Sequence, residues 1–300
     1  MRIKVQGGQF FVNGYPVREG FSLREGECRL VSCIAESGAG CATLCNEGGE
    51  LIIRGNLDVV RWGHDAELLP LPCASMPALL REYAVDDRKI YIAVGREITC
   101  EGICSFRHTP PFPIRSPRVE ILSGQKKRIA NIRGECDAGE YIALFSLSQG
   151  SARLLLEAYG ESIQTEGNEV AVTRKYNDLR GRVATARYTW KGENFEESYR
   201  NVECTHAHSF IREDAGRLLL EAAFARDVRE ITSLLSPEIA DADEILRYFG
   251  EIECVRAPLF VSSPTAIAVQ KKTPNGRMAI TYDFSFEGTK INNILCLDDC

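Results

Sequence analysis

Residues 140–159 read EYIALFSLSQGSARLLLEAY, and this stretch decides how the rest of the chain is parsed. Side chains alternate across a strand. One face of 140–147 therefore carries Tyr141, Ala143, Phe145 and Leu147, and the other carries Ile142 and Leu144. A strand that is apolar on both faces needs cover on both, which predicts a central strand between packed layers. Gln149-Gly150 turns the chain, and Ala152, Leu154, Leu156 and Ala158 then share one face of a second strand.

The same rhythm extends in both directions. Strands are expected over 169–173 and 183–190, with turns at Glu166-Gly167-Asn168 and Lys191-Gly192. Short strands in close succession predict an up-and-down antiparallel array. No Trp-Asp or Gly-His signature marks a propeller blade. Upstream, Arg2–Val5 and Gln9–Val12 read as strands, and Asn13-Gly14 is a hairpin turn because both residues tolerate positive φ. Pro16 confines the next stretch to a sheet edge or loop, and 28–34 and 50–54 are further strands around Gly48-Gly49. Residues 65–118 are less regular. A short helix is expected over Pro77–Ala84, with Ser75 near its start, and a strand over Arg88–Val94. The run Thr109-Pro110-Pro111-Phe112-Pro113-Ile114-Arg115-Ser116-Pro117 must be extended and reads as a rigid connector between two β units.

After residue 204 the period changes. Ile211, Ala215, Leu218, Ala222 and Ala225 recur at helical spacing. Asp227-Val228-Arg229-Glu230 and Asp241-Ala242-Asp243-Glu244 are capping boxes that start two more helices. Gly250 is placed to end the last. Alternating strands follow over 266–270, 277–286 and 290–297. The expected fold is thus a mainly β N-terminal region, an antiparallel meander or sandwich, followed by a C-terminal α+β domain with helices packed on an antiparallel sheet. The expected divisions are a β-rich region with its proline connector (1–118), an antiparallel array (119–204) that could form one domain with it, and the α+β domain (205–300).

Helices broken at Arg226-Asp227, the stretch Leu234-Leu235-Ser236-Pro237-Glu238, a short helix and alternating strands resemble a compact NTF2-like (cystatin-like) domain over residues 209–300. That resemblance implies a curved sheet wrapped around helices with a pocket inside. The chain departs from the superfamily in showing no strand between its second and third helices. None of the superfamily's catalytic residues can be carried over. Tyr248, Phe249, Tyr282 and Phe284 are the candidates to line such a pocket, and packed core is the alternative role for all four.

Composition narrows the function. The chain has 300 residues, 44% of them hydrophobic, which is enough to bury a sizeable core. With 36 basic and 42 acidic residues the net charge is −6, which argues against nucleic acid and anionic membranes as partners. The N-terminal residues carry no apolar leader pattern, and no run reaches the roughly 18–20 apolar residues of a spanning helix. A soluble cytoplasmic protein is the expectation, with its 12 cysteines mostly reduced.

Metal binding turns on ligand spacing. Cys41-x3-Cys45 and Cys100-x3-Cys104 are two similar pairs, and Cys204-Thr-His206-Ala-His208 offers a three-ligand row. Zinc takes four sulfur or nitrogen ligands, usually as tight C-x2-C pairs, and these spacings are wider. No metal and no cofactor is expected. Cys28, Cys33, Cys136, Cys254 and Cys296 read as small hydrophobes on strands. No G-x-S-x-G, G-x-G-x-x-G or G-x4-G-K-[ST] occurs. His64-Asp65 would point to opposite faces of a strand, and His108 precedes the proline run. The resulting expectation is a non-enzymatic protein that makes protein–protein contacts or associates with itself. The alternatives are a small-ligand binder or enzyme using a C-terminal pocket, and a zinc-stabilised β module on Cys41, Cys45, Cys100 and Cys104.

Overall fold

The computed structural model describes all residues except 36–37, 56, 71–78, 86–87, 96, 103, 124–127, 149–150, 208–213, 240, 274–275 and 299–300. Side chains at 38–39, 123, 273 and 276 are likewise not described. The chain divides into two compact units, one built from Met1–Cys73 and Ala207–Cys300 and the other from Ala74–His206. Elements are numbered in chain order.

The first unit contains a five-stranded sheet in the order β3 (Tyr15–Val17), β2 (Gln9–Val12), β5 (Cys28–Ala35), β6 (Gly38–Glu47), β7 (Glu50–Gly55). Asn13 and Gly14 have φ of 50° and 85° and close the β2–β3 hairpin as the sequence predicts. Its second sheet has eight strands. Along it run β22 (Cys254–Arg256), β23 (Ile267–Thr273), β24 (Gly276–Glu287), β8 (Asp58–Trp62), β9 (Asp65–Leu69), β1 (Arg2–Val5) and β4 (Gly20–Ser22), while β25 (Lys290–Cys296) pairs with β24. Ile3, Ala66 and Leu68 from this sheet and Phe10, Val31 and Leu44 from the other are fully or nearly fully buried in one core, so the two sheets form a sandwich.

The C-terminal strands pair antiparallel with one another, but the sheet they belong to is mixed. β24 runs parallel to β8 and β1 runs parallel to β9. Strands from 205–300 and from 1–118 are thus hydrogen-bonded into one sheet. A parallel pair has no connecting turn to leave a local signal.

Helices α1 (Ala215–Ala225), α2 (Val228–Leu234) and α3 (Ala242–Phe249) pack on this mixed sheet. Arg226 adopts φ 57° and ends α1. Asp227 caps α2 by accepting from the Glu230 amide. α3 carries the complete reciprocal capping box, with Asp241 accepting from the Glu244 amide at 2.8 Å and Glu244 accepting from the Asp241 amide at 3.3 Å.

The second unit is a succession of three four-stranded antiparallel meanders. They are β10 (Leu79–Val85), β11 (Arg88–Val94), β12 (Ile98–Gly102) and β13 (Phe106–His108); β14 (Arg115–Ser123), β15 (Arg128–Cys136), β16 (Gly139–Ser148) and β17 (Ser151–Gly160); and β18 (Ser162–Glu166), β19 (Glu169–Lys175), β20 (Arg182–Trp190) and β21 (Phe195–Cys204). Strand β16 occupies the central position its sequence calls for. Tyr141, Ala143 and Phe145 join Ile90, Ile92 and Ile132 in one core, while Ile142 and Leu144 join Leu156, Val170 and Val172 in another.

The helix expected over 77–84 is not formed. Residues 77–78 and Ser75 lie outside the described residues, and 79–85 form β10, paired with β11 from Leu79↔Val94 to Val85↔Arg88. Ala, Leu, Arg and Glu favour a helix by themselves, but a ready antiparallel partner overrides so small a preference.

Candidate functional site

The four aromatic candidates separate into core and surface. Phe249, Tyr282 and Phe284 are 0%, 3% and 3% exposed and are packed core. Phe249 meets Tyr282 edge-to-face at 5.0 Å. Tyr248 is 50% exposed and stands at the wall of a groove of about 640 Å³. Residues 236, 238 and 239 after α2 supply one side of the groove, Glu244, Ile245 and Tyr248 on α3 another, and Glu287 with 292–294 from the β24–β25 hairpin the third. Glu238, Glu244 and Glu287 make the lining acidic, with no basic residue or histidine in it. Tyr248 follows Glu244 by four residues, about one helical turn, so both lie on one side of α3. Phe249 turns to the other side, into the core. Adjacent aromatics in the sequence could not tell which would be which.

The cysteine candidates find other roles. Cys45 is disulfide-bonded to Cys28, its register partner across β5 and β6, so it is no zinc ligand and Cys28 is no reduced hydrophobe. Cys33, Cys41, Cys100, Cys104, Cys136, Cys204, Cys254 and Cys296 are thiols. The Sγ atoms of Cys100 and Cys104 lie 3.9 Å apart, and both residues are buried in the β10–β17 core. Burial, then the neighbouring Cys104, pushes the Cys100 thiol up to about 12, and burial raises Cys104 as well. Metal binding needs thiolates, so this environment opposes it. Cys204 and His206 are exposed at the end of β21 and beyond it, with the His206 amide donating to the Arg180 carbonyl at 3.0 Å. His208 lies outside the described residues.

His108 is part of a polar cluster that the sequence did not disclose. Its Nε2 lies 2.7 Å from Glu157 Oε1, and the Tyr141 hydroxyl donates to the same oxygen at 2.8 Å. The ring stands edge-on to Phe145 at 5.5 Å. Burial, reinforced by the Glu157 charge, raises the Tyr141 phenol. Tyr141 is 1% exposed, so its hydroxyl serves the core and is not offered to a substrate.

The outer face of the five-stranded sheet departs from the usual polar-out pattern. Pairing places Phe11 opposite Ser32, Leu30 opposite Thr43, and the Cys28–Cys45 disulfide opposite Ile52. Leu30 and Ile34 are 53% and 55% exposed on this face. The charged residues of this face are on β6 and β7: Glu47 and Glu50 face each other, and Arg54, opposite Thr43, pairs with Glu47. Cys41, opposite Ser32, is exposed on the same face.

No protein-family model matches the chain, and no curated protein sequence matches it. No helix among the described residues is long and apolar enough to cross a membrane.

Proposed function

We propose that the chain is a non-catalytic assembly module that associates with itself through the outer face of the five-stranded sheet. The observation that carries this reading is the exposure of Leu30 and Ile34 on β5, with half-buried Phe11 opposite Ser32 between them. Single exposed apolar residues are ordinary, but exposed apolar residues grouped on one sheet face mark an interaction surface. The strands β2 and β5 present no charged side chain outward on it, so two copies that meet through these two strands bring no like charges together there.

The rival reading, an enzyme or small-ligand site on Tyr248, Phe249, Tyr282 and Phe284, loses three of its four residues to the core. The NTF2-like likeness remains part of the proposal. Its support is the order of three helices before β22–β25, with a single parallel bridge from Leu235 to Ile291 between α2 and α3. Nucleic acid is not a partner in this reading, given the net charge of −6. A cytoplasmic location is proposed because eight of the ten described cysteines are thiols, the Cys28–Cys45 disulfide being the exception.

Sedimentation velocity tests the association. The wild type is expected to sediment as a dimer or larger species in the micromolar range, and Leu30→Glu with Ile34→Glu as a folded monomer. A wild type that stays monomeric at the highest attainable concentration would refute it.

A further inference from the structure

The second unit carries a second groove, independent of the association face. We infer that it is a binding site for an uncharged carbohydrate. The β18–β21 sheet packs on β16 and β17, through Ile142, Leu144 and Leu156 against Val170 and Val172. The β14–β15 part of the same face stays open, and Leu122 there is 42% exposed. The step between them encloses about 420 Å³. That is within the roughly 300–1,000 Å³ of small-molecule sites.

The floor is two cross-strand rows, Glu120–Asn131–Leu144 and Leu122–Ile129. The wall is aromatic. Trp190 and Phe195 close the β20–β21 hairpin as register partners, with ring centroids 5.3 Å apart. This wall is held in place before any ligand arrives. The Trp190 amide donates to the Asn168 carbonyl at 2.9 Å. Arg153 Nη2 donates to the Glu193 carbonyl at 2.6 Å and to Asn194 Oδ1 at 2.5 Å.

The buried polar group is Asn131, 7% exposed and part of the lining. Its Oδ1 accepts from Arg133 Nε at 3.4 Å, and Arg133 Nη2 donates to Thr165 Oγ1 at 2.7 Å. The Asn131 Nδ2 donor has no protein partner among the described residues and is not sealed from solvent, so a ligand that covers it must supply an acceptor in place of water. Glu120, Glu169 and Asn168 supply further acceptors and donors at the rim.

These features select among ligand classes. An anionic ligand would face two carboxylates and one guanidinium already engaged with Thr165. A hydrocarbon would leave the Asn131 amide dry. A sugar ring satisfies both requirements, laying its C–H face on the aromatic and aliphatic surface and turning its hydroxyls to the amides and carboxylates.

The chain has two tryptophans, so a Trp62→Phe background makes Trp190 emission report on the groove. The probes are cellobiose, maltose, lactose and chitobiose, titrated into the full-length protein. At least one is expected to give a saturable emission change with a millimolar or tighter Kd. Asn131→Leu is expected to weaken that binding about tenfold or more, as the loss of one well-formed hydrogen bond does. Near-ultraviolet circular dichroism checks that the variant is folded, and Asn168→Ala on the exposed β18–β19 turn replaces it if it is not. No saturable change with any of the four sugars, or equal binding by the folded variants, would overturn the inference.

Discussion

Gly216 on α1 rests directly against the ring of Phe284 on β24. A Cβ at position 216 would overlap the ring carbons Cδ2, Cε2 and Cγ. Elsewhere in a helix, glycine to alanine gains about 0.5–1 kcal/mol. Here the contact reverses the sign. Gly216→Ala is expected to cost about 1–3 kcal/mol, as overpacking does, read from the urea midpoint. Combining it with Phe284→Leu should recover part of the loss. A Gly216→Ala variant more stable than wild type would mean that the helix does not lie this close to the sheet.

Glu67 is 0% exposed and is held from three directions. Arg256 Nη1 and Nη2 lie 2.8 Å from its two oxygens, and Trp62 Nε1 donates at 3.3 Å. Removing one member of a buried pair leaves the other uncompensated. Arg256 keeps 23% of its side chain in solvent, so Glu67→Gln is expected to cost about 1–3 kcal/mol in equilibrium unfolding. Adding Arg256→Met should give back a substantial part of it.

The disulfide is checked by mass. Alkylation of the denatured, unreduced chain should spare Cys28 and Cys45 and modify the other described cysteines. Reducing the bond, which spans a sequence separation of 17, is expected to lower stability by about 2–4 kcal/mol. Alkylation of Cys28 or Cys45 without reductant would contradict the pairing.

Cys100 makes stability fall in alkali. Its folded thiol sits at about 12 against an ordinary value of 9.0, so the native state keeps a proton that the unfolded state releases. Below pH 9 both states are protonated and the group contributes no slope. Between about 9 and about 12 the unfolded state gains, and stability declines. Cys100→Ala should flatten that part of the stability–pH curve. An unchanged curve would remove burial of this thiol from the explanation.

Much of the fold is legible in local sequence. Alternation identifies β16 because both of its faces are packed, and Asn13-Gly14 and Asp241–Glu244 announce their turn and cap because the signals are contiguous. What is not legible is long-range. Arg277 pairs with Val60 and Ile3 with Ala66 through parallel ladders that leave no turn behind. The strand over 79–85 is set by β11 rather than by its own composition. The candidate sites follow the same division. Tyr248 is legible as an aromatic residue, but its exposure depends on which side of α3 meets the sheet. The Asn131–Trp190 groove joins strands from two meanders, and no spacing in the sequence links them.

Cys41 offers the most direct test of association through the five-stranded sheet. It is exposed on that sheet's outer face, and Cys204 is an exposed thiol on the other unit that serves as an internal reference. The measurement is the rate of Cys41 alkylation relative to Cys204 across a dilution series of the native protein. Burial of the Leu30–Ile34 face between two copies predicts a ratio that falls as concentration rises, and that stays flat in the Leu30→Glu, Ile34→Glu variant. A wild-type ratio that is the same at every concentration would contradict the account.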